Sequence, residues 1–183
     1  LLFQARDGAA VKAQLLLIAL HQSGRKDQVA DTQGRGERFG KRVHVEHAAR
    51  CVHALQRRDG QEALRFYLLD SGNEREHGSY APPSDETLIW LKDRLFDEEG
   101  VPSAVPSMVF QHIPLIEYRE CKGVTVKEPI CSPDVNTGEF ELLWSNGNVM
   151  GVFCGHDHKN DFVGRLDGID LGYTPSCGFA CYG

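Results

Sequence analysis

The sequence predicts an α/β fold, and three observations carry that reading. Two apolar runs, Ser107–Gln111 and Val149–Cys154, read as buried strands, and each leads at once into histidine: His112 directly, His156 after Gly155. Between Asn73 and Gly100 lies a stretch with a helix start, a helical apolar stripe and a stop. Phe162–Leu166 and Ile169–Tyr173 flank Asp167-Gly168, a strong two-residue turn signal for a hairpin. At 183 residues and 41% hydrophobic content, the chain is long enough and apolar enough for one domain.

In chain order, Val11–Leu20 and His44–Leu64 lean helical. Phe66–Asp70 is a short apolar strand ending at the turn cluster Ser71-Gly72-Asn73. A loop follows through Ala81-Pro82-Pro83. Ser84 can then cap a helix whose first turn holds Asp85 and Glu86, where negative charge meets the free backbone N–H groups. Leu88, Leu91, Leu95 and Phe96 share one helical face, and Gly100 can end the helix. Met108–Gln111 is the next strand. Glu139–Ser145 reads as a short helix, and the strand Val149–Phe153 begins after Gly147.

The histidines carry the chemistry. Imidazole is the commonest nitrogen ligand for zinc, iron and similar ions. In Gly155-His156-Asp157-His158 the two rings alternate by two, so an extended stretch would point them the same way, while the glycine permits close backbone approach. Ligands gather beyond the carboxyl ends of strands in α/β proteins. If the strands before His112 and His156 are neighbours, His112, His156 and His158 converge. Asp157 could be a further ligand, but alternation turns it away from the histidines, which favours a part in orienting the ligands, the turn or a substrate. Asn160 and Asp161 suit orienting that turn or a substrate, and ordinary turn polarity explains them equally well. Glu117 and Tyr118 could face the cleft, though a plain surface loop is the simpler reading. His21, His44, His47, His53 and His77 read as surface histidines.

The ordered set Leu68-Leu69-Asp70-Ser71-Gly72, Val109-Phe110-Gln111-His112-Ile113-Pro114-Leu115-Ile116-Glu117-Tyr118, Val135-Asn136-Thr137-Gly138 and Gly155-His156-Asp157-His158-Lys159-Asn160-Asp161-Phe162 resembles the calcineurin-like metallophosphoesterases, closest to their purple-acid-phosphatase-like plant and fungal branch. The resemblance covers roughly Arg65 to Gly183. It implies the carboxyl half of a layered α/β/β/α sandwich, phosphoester hydrolysis at a dinuclear centre, and two metal ions, iron, zinc or manganese, in the complete domain. Carried over residue by residue, His112 and His156 would bind one metal and His158 the other. A phosphorylated small molecule or phosphoprotein would be the substrate.

The same resemblance implies Asp-x-His, Gly-Asp-x-x-Asp and Gly-Asn-His-Asp/Glu motifs in the amino half, and residues 1–64 hold none of them. His44-x-x-His47 has metal-like spacing but fits none of the three. Residues 1–64 carry a net charge of +4 and residues 65–183 a net of −10, and the first segment has only Phe3 and Phe39 as aromatics. That asymmetry marks 1–64 as an unassigned, unrelated or frame-shifted segment beside a partial phosphoesterase domain at 65–183. The sheet of such a half domain would expose an edge or a face.

Other classes are set aside. The apolar run Leu15–Leu20 has six residues, against about 20 for a membrane span, and reads as part of a short amphipathic helix. Six cysteines do not make a disulfide scaffold; Cys154 reads as a buried thiol, and Cys121 with Cys131, or Cys177 with Cys181, are the pairs an oxidising compartment could bridge. The acidic carboxyl half argues against nucleic acid as an electrostatic partner. Two functions remain: a metal-dependent phosphoesterase, or an inactive remnant or interaction module of the same fold.

Overall fold

The computed structural model describes residues 43–45, 50–75, 78–177 and 182. The helix expected over Val11–Leu20 lies outside them. The described elements are β1 (Val43–Val45), β2 (Arg50–Gln56), β3 (Glu62–Leu69), α1 (Asp85–Leu95), β4 (Ser107–Phe110), a 3₁₀ turn (Ile116–Glu120), α2 (Glu139–Asn146), β5 (Val149–Cys154), β6 (Phe162–Leu166) and β7 (Ile169–Tyr173). The strands form one sheet in the order β1-β2-β3-β4-β5-β7-β6. Its centre, β3-β4-β5-β7, is parallel, and both flanks are antiparallel. Mixed sheet and helices together make the fold α/β, as the sequence predicts.

One correction concerns 44–64, expected to be helical. Within it, 44–45, 50–56 and 62–64 are strand, and β2 and β3 form an antiparallel hairpin. The cause is Asp59-Gly60. Gly60 takes φ +85° and its N–H donates to the Arg57 carbonyl at 3.0 Å, while the Asp59 carboxylate accepts from the Gln61 N–H at 3.0 Å. A left-handed glycine followed by an Asx contact reverses the chain where a helix would have continued. β3 therefore runs through position 64/65, the division suggested by composition.

Register explains the core. Val52, Tyr67, Val109, Val152 and Leu171 are cross-strand partners in sequence across five strands, so period-two alternation sends all five to one face. The helices cover that face, with Leu91, Leu95 and Leu143 fully buried against it. Ser84 caps α1, its hydroxyl accepting from the Thr87 N–H at 3.2 Å. The buried side of α1 is Thr87, Trp90, Leu91 and Leu95. α1 stops before Gly100: Phe96 is extended, and Asp97 gathers the N–H groups of Glu99 and Val101 at 3.1 and 2.7 Å, leaving Gly100 (φ +78°) inside that turn. The amide of Asn146, at the end of α2, donates to the Leu95 carbonyl at 2.7 Å and ties the two helix ends together.

The 3₁₀ turn differs from the surface loop expected at Glu117 and Tyr118. Both are buried. The Tyr118 hydroxyl lies within hydrogen-bond reach of the Val152 and Gly172 carbonyls at 2.7 and 3.1 Å, pinning the turn to the sheet. Cys154 is a buried free thiol, and Cys121 and Cys131 are both unbridged. Among the described residues, no helix is long and apolar enough to cross a membrane.

The sheet's other face carries a second row: Leu68, Phe110, Phe153 and Gly172 are successive partners. Phe110 and Phe153 stack at 5.2 Å. Gly172 makes room, because a Cβ there would lie 2.5 Å from Phe153 Cδ1. Gly172→Ala should therefore displace the Phe153 ring and destabilise the fold by about 1–3 kcal/mol. Denaturant unfolding checks this, and an unchanged midpoint would contradict it.

Candidate metal centre

The site is assembled where the parallel strands end. β4 and β5 are neighbours, and their ladder continues past both ends: the Gln111 N–H donates to the Phe153 carbonyl at 3.0 Å, and the Gly155 N–H to the His112 carbonyl at 3.2 Å. His112 and His156 thus leave the sheet side by side. Ser71, just after β3, fixes the other flank. Its buried hydroxyl accepts from the N–H groups of His112 and Ile113 at 3.2 and 2.8 Å.

His112 Nε2 and His156 Nδ1 lie 3.3 Å apart, with the rings at an 82° interplanar angle. Two imidazole nitrogens this close either share a proton or grip one cation. With metal–nitrogen bonds of about 2.0–2.1 Å, a tetrahedral pair of ligands stands about 3.3 Å apart, so the rings already hold a bidentate spacing. The edge of Tyr80 meets His156 at a centroid distance of 4.4 Å. His156 Nε2 is buried and has no hydrogen-bond partner. Burial holds the His156 pKa below its ordinary value against the opposing pull of Asp157, which keeps the ring neutral and able to donate a lone pair.

His156 itself takes φ +82°, an uncommon conformation for a residue with a Cβ. The segment is therefore a turn, closed by Asp157 N–H to the Gly155 carbonyl (3.1 Å) and Asn160 N–H to the Asp157 carbonyl (3.3 Å). The alternation expected of an extended stretch does not hold. His158 turns instead to Tyr182, stacking at 4.2 Å with Nδ1 3.0 Å from the Tyr182 carbonyl oxygen. Among the described residues, no group of three or more His, Cys, Asp and Glu side chains stands ready for a metal.

Asp157 holds the turn from behind. It is buried, and one carboxylate oxygen accepts from both the Tyr173 hydroxyl and the Cys131 N–H, the latter at 2.9 Å. Asn160 is fully buried: its amide oxygen accepts from the N–H groups of Lys127 and Glu128 (3.0 and 3.2 Å), and its nitrogen donates to the Glu128 carbonyl (3.0 Å). Asp161 is exposed in a 3.9 Å pair with Lys127, a surface contact of little energetic weight. Sequence reasoning missed Ser71, Tyr80 and Tyr173. Ser71 was findable, since it ends a strand beside the site; Tyr173 meets Asp157 only through the fold.

A small cavity of about 20 Å³ adjoins this centre, with Gln111 and Ile113, the chain neighbours of His112, in its wall. Glu117 and Glu139 line it too. Burial, reinforced by Glu117, pushes the Glu139 carboxyl up to about 8.

No family model matches the chain. It is similar to two Arabidopsis thaliana proteins, "Probable inactive purple acid phosphatase 14" (44% identity over 141 residues, 66% of this chain and 34% of that one) and "Probable inactive purple acid phosphatase 29" (38% over 148 residues, 67% and 36%). It is also similar to "Phosphatase DCR2" of Saccharomyces cerevisiae (31% over 136 residues, 64% and 22%). The chain thus spans about a third or less of these relatives' length. A solved dimetal phosphatase from Danio rerio aligns at 18% identity with a TM-score of 0.43, covering 61% of this chain and 45% of that one.

Two outcomes test this geometry. Asp157→Ala strands the Tyr173 hydroxyl and the Cys131 N–H, so it should cost about 1–3 kcal/mol in denaturant unfolding; a loss near zero would show that the turn needs no such anchor. Glu139 keeps in the folded state a proton that the unfolded chain, with an ordinary carboxyl near 4.5, releases. Stability should then fall as pH rises from about 4.5 to about 8 and level off above. Glu139→Gln should flatten that fall and melt higher than wild type at pH 8; parallel melting curves across the window would refute the assignment.

Proposed function

We propose that the chain, similar over about two thirds of its length to purple-acid-phosphatase-like proteins, carries part of a calcineurin-like metallophosphoesterase domain, and that His112 and His156 together supply one ligand pair to that family's metal centre. The observation that carries this is the 3.3 Å approach of the two ring nitrogens at the ends of neighbouring parallel strands. Neutral imidazoles suit iron, zinc and manganese, and the half-buried, lone-pair-bearing His156 fits them. His158, two residues further on, is the candidate for the second ion of the pair. When bound, the ions supply charge neutralisation for phosphoryl oxygens and a bound water acidic enough to ionise near neutrality.

The chain's own residues do the holding. Ser71 fixes the backbone of His112. Asp157, clamped by Tyr173 and Cys131, fixes the strained backbone of His156. Asn160 closes the turn onto 127–128. Tyr80 borders His156. The substrate class is a phosphorylated small molecule or phosphoprotein.

A second reading has its own support. Two relatives carry "inactive" in their names, and among the described residues no carboxylate joins the imidazole pair to bridge two cations. Two divalent cations at about 4 Å repel strongly without such a bridge. On this reading the chain retains the fold and one imidazole pair without turnover.

Zinc titration of wild type, His112→Ala and His156→Ala separates binding from its absence. Each substitution should weaken zinc binding by at least about tenfold, since each removes a direct ligand. Unchanged affinity in either variant would overturn the assignment. Hydrolysis of an aryl phosphate by the loaded protein, lost in His156→Ala, supports the enzyme; stoichiometric metal without turnover supports the second reading.

A further inference from the structure

The cavity beside the histidine pair has a different chemistry. Its wall includes Ser71, Gln111, Glu117, Asn136 and Glu139 among prolines and aliphatic side chains, and no Lys, Arg or His. Glu139 is 3% exposed and Gln111 9% exposed, and the Oε1 atoms of both are buried without a hydrogen-bond partner. The Gln111 amide nitrogen is committed to the Ile113 carbonyl at 3.0 Å, which fixes the orientation of the amide and leaves its oxygen as the open atom. Glu117 is 6% exposed, and its Oε1 accepts from Asn136 Nδ2 at 2.7 Å. Two buried carboxyl groups and an orphaned amide oxygen therefore line one cavity with no positive charge in its wall.

We infer that this cavity is a binding site for a single hard cation of the calcium class, held by Glu139, Glu117 and the Gln111 amide oxygen. The innermost space, about 20 Å³, has room for about one water-sized sphere and so admits an atomic ion. Donor type selects a hard ion, because carboxylate and amide oxygens suit calcium and magnesium, and nothing here resembles the imidazole pair. Calcium fits better than magnesium, which gives up its waters reluctantly and demands octahedral regularity, whereas calcium accepts irregular oxygen cages. The energetics agree. Buried carboxylates are costly, and burial beside Glu117 raises the Glu139 pKa against the opposing hydrogen bond from Gln111.

The site is separate from the proposed phosphoesterase centre, and the experiment keeps the two apart. The full chain is titrated with calcium chloride at a pH above 8, where Glu139 is ionised, and followed by thermal unfolding and calorimetry. Wild type should bind one equivalent and melt higher. Glu139→Gln and Glu117→Gln, both isosteric, should each weaken calcium binding by at least about tenfold, since each removes one of two charged ligands, while leaving the zinc response intact. A wild-type protein with no calcium response would overturn the inference. So would a calcium response retained in full by either folded variant, or one that disappears in His156→Ala instead.

Discussion

The hydrogen-bonded pairing of β4 with β5 is the constraint on which the site depends. Parallel neighbours end at the same edge of a sheet, so any residues that follow them are delivered together. Here the ladder runs past both strands, through Gln111 N–H to the Phe153 carbonyl and Gly155 N–H to the His112 carbonyl. Those two bonds decide that His112 and His156 meet. The core row Tyr67, Val109, Val152 and Leu171 fixes the register, since a slip of one residue would turn the apolar set to the wrong face and part the histidines.

The turn after β5 shows how a polar core residue serves a site. Asp157 sits between the two candidate ligands, and its carboxylate is the point at which the turn is fastened to β7 through Tyr173 and to the preceding loop through the Cys131 N–H. With Asp157 held inward, His156 takes its left-handed backbone and faces His112. Stability spent on a buried carboxylate is returned as a defined position for an imidazole. Gln111, directly after β4, and Glu139, at the start of α2, present the complementary case of buried oxygens with nothing to accept.

Much of this was legible in the sequence, and the misses share one cause. Ser84 as a cap, Asp167-Gly168 as a hairpin turn, and histidines placed directly after apolar strands are local signals, and local chemistry honours them. Asp59-Gly60 is the same dipeptide as Asp167-Gly168, yet residues 44–64 were expected to be helical; the left-handed Gly60 and the pairing of β2 with β3 make a hairpin there instead. The convergence of His112 and His156 was readable as a condition on strand order, and the sheet supplies that order. The orientation of His158 was not readable, because it follows from Asp157 meeting Tyr173, sixteen residues away, and from a ring contact with Tyr182. The burial of Glu117 and Tyr118 likewise depends on carbonyls in β5 and β7.

The central claim is that two imidazoles from adjacent strands share one cation. X-ray absorption of the zinc-loaded protein reads the ligand shell directly. The account predicts outer-shell scattering from two imidazole rings around one zinc, with nitrogen ligands at about 2.0–2.1 Å. A shell with one imidazole or none would contradict it.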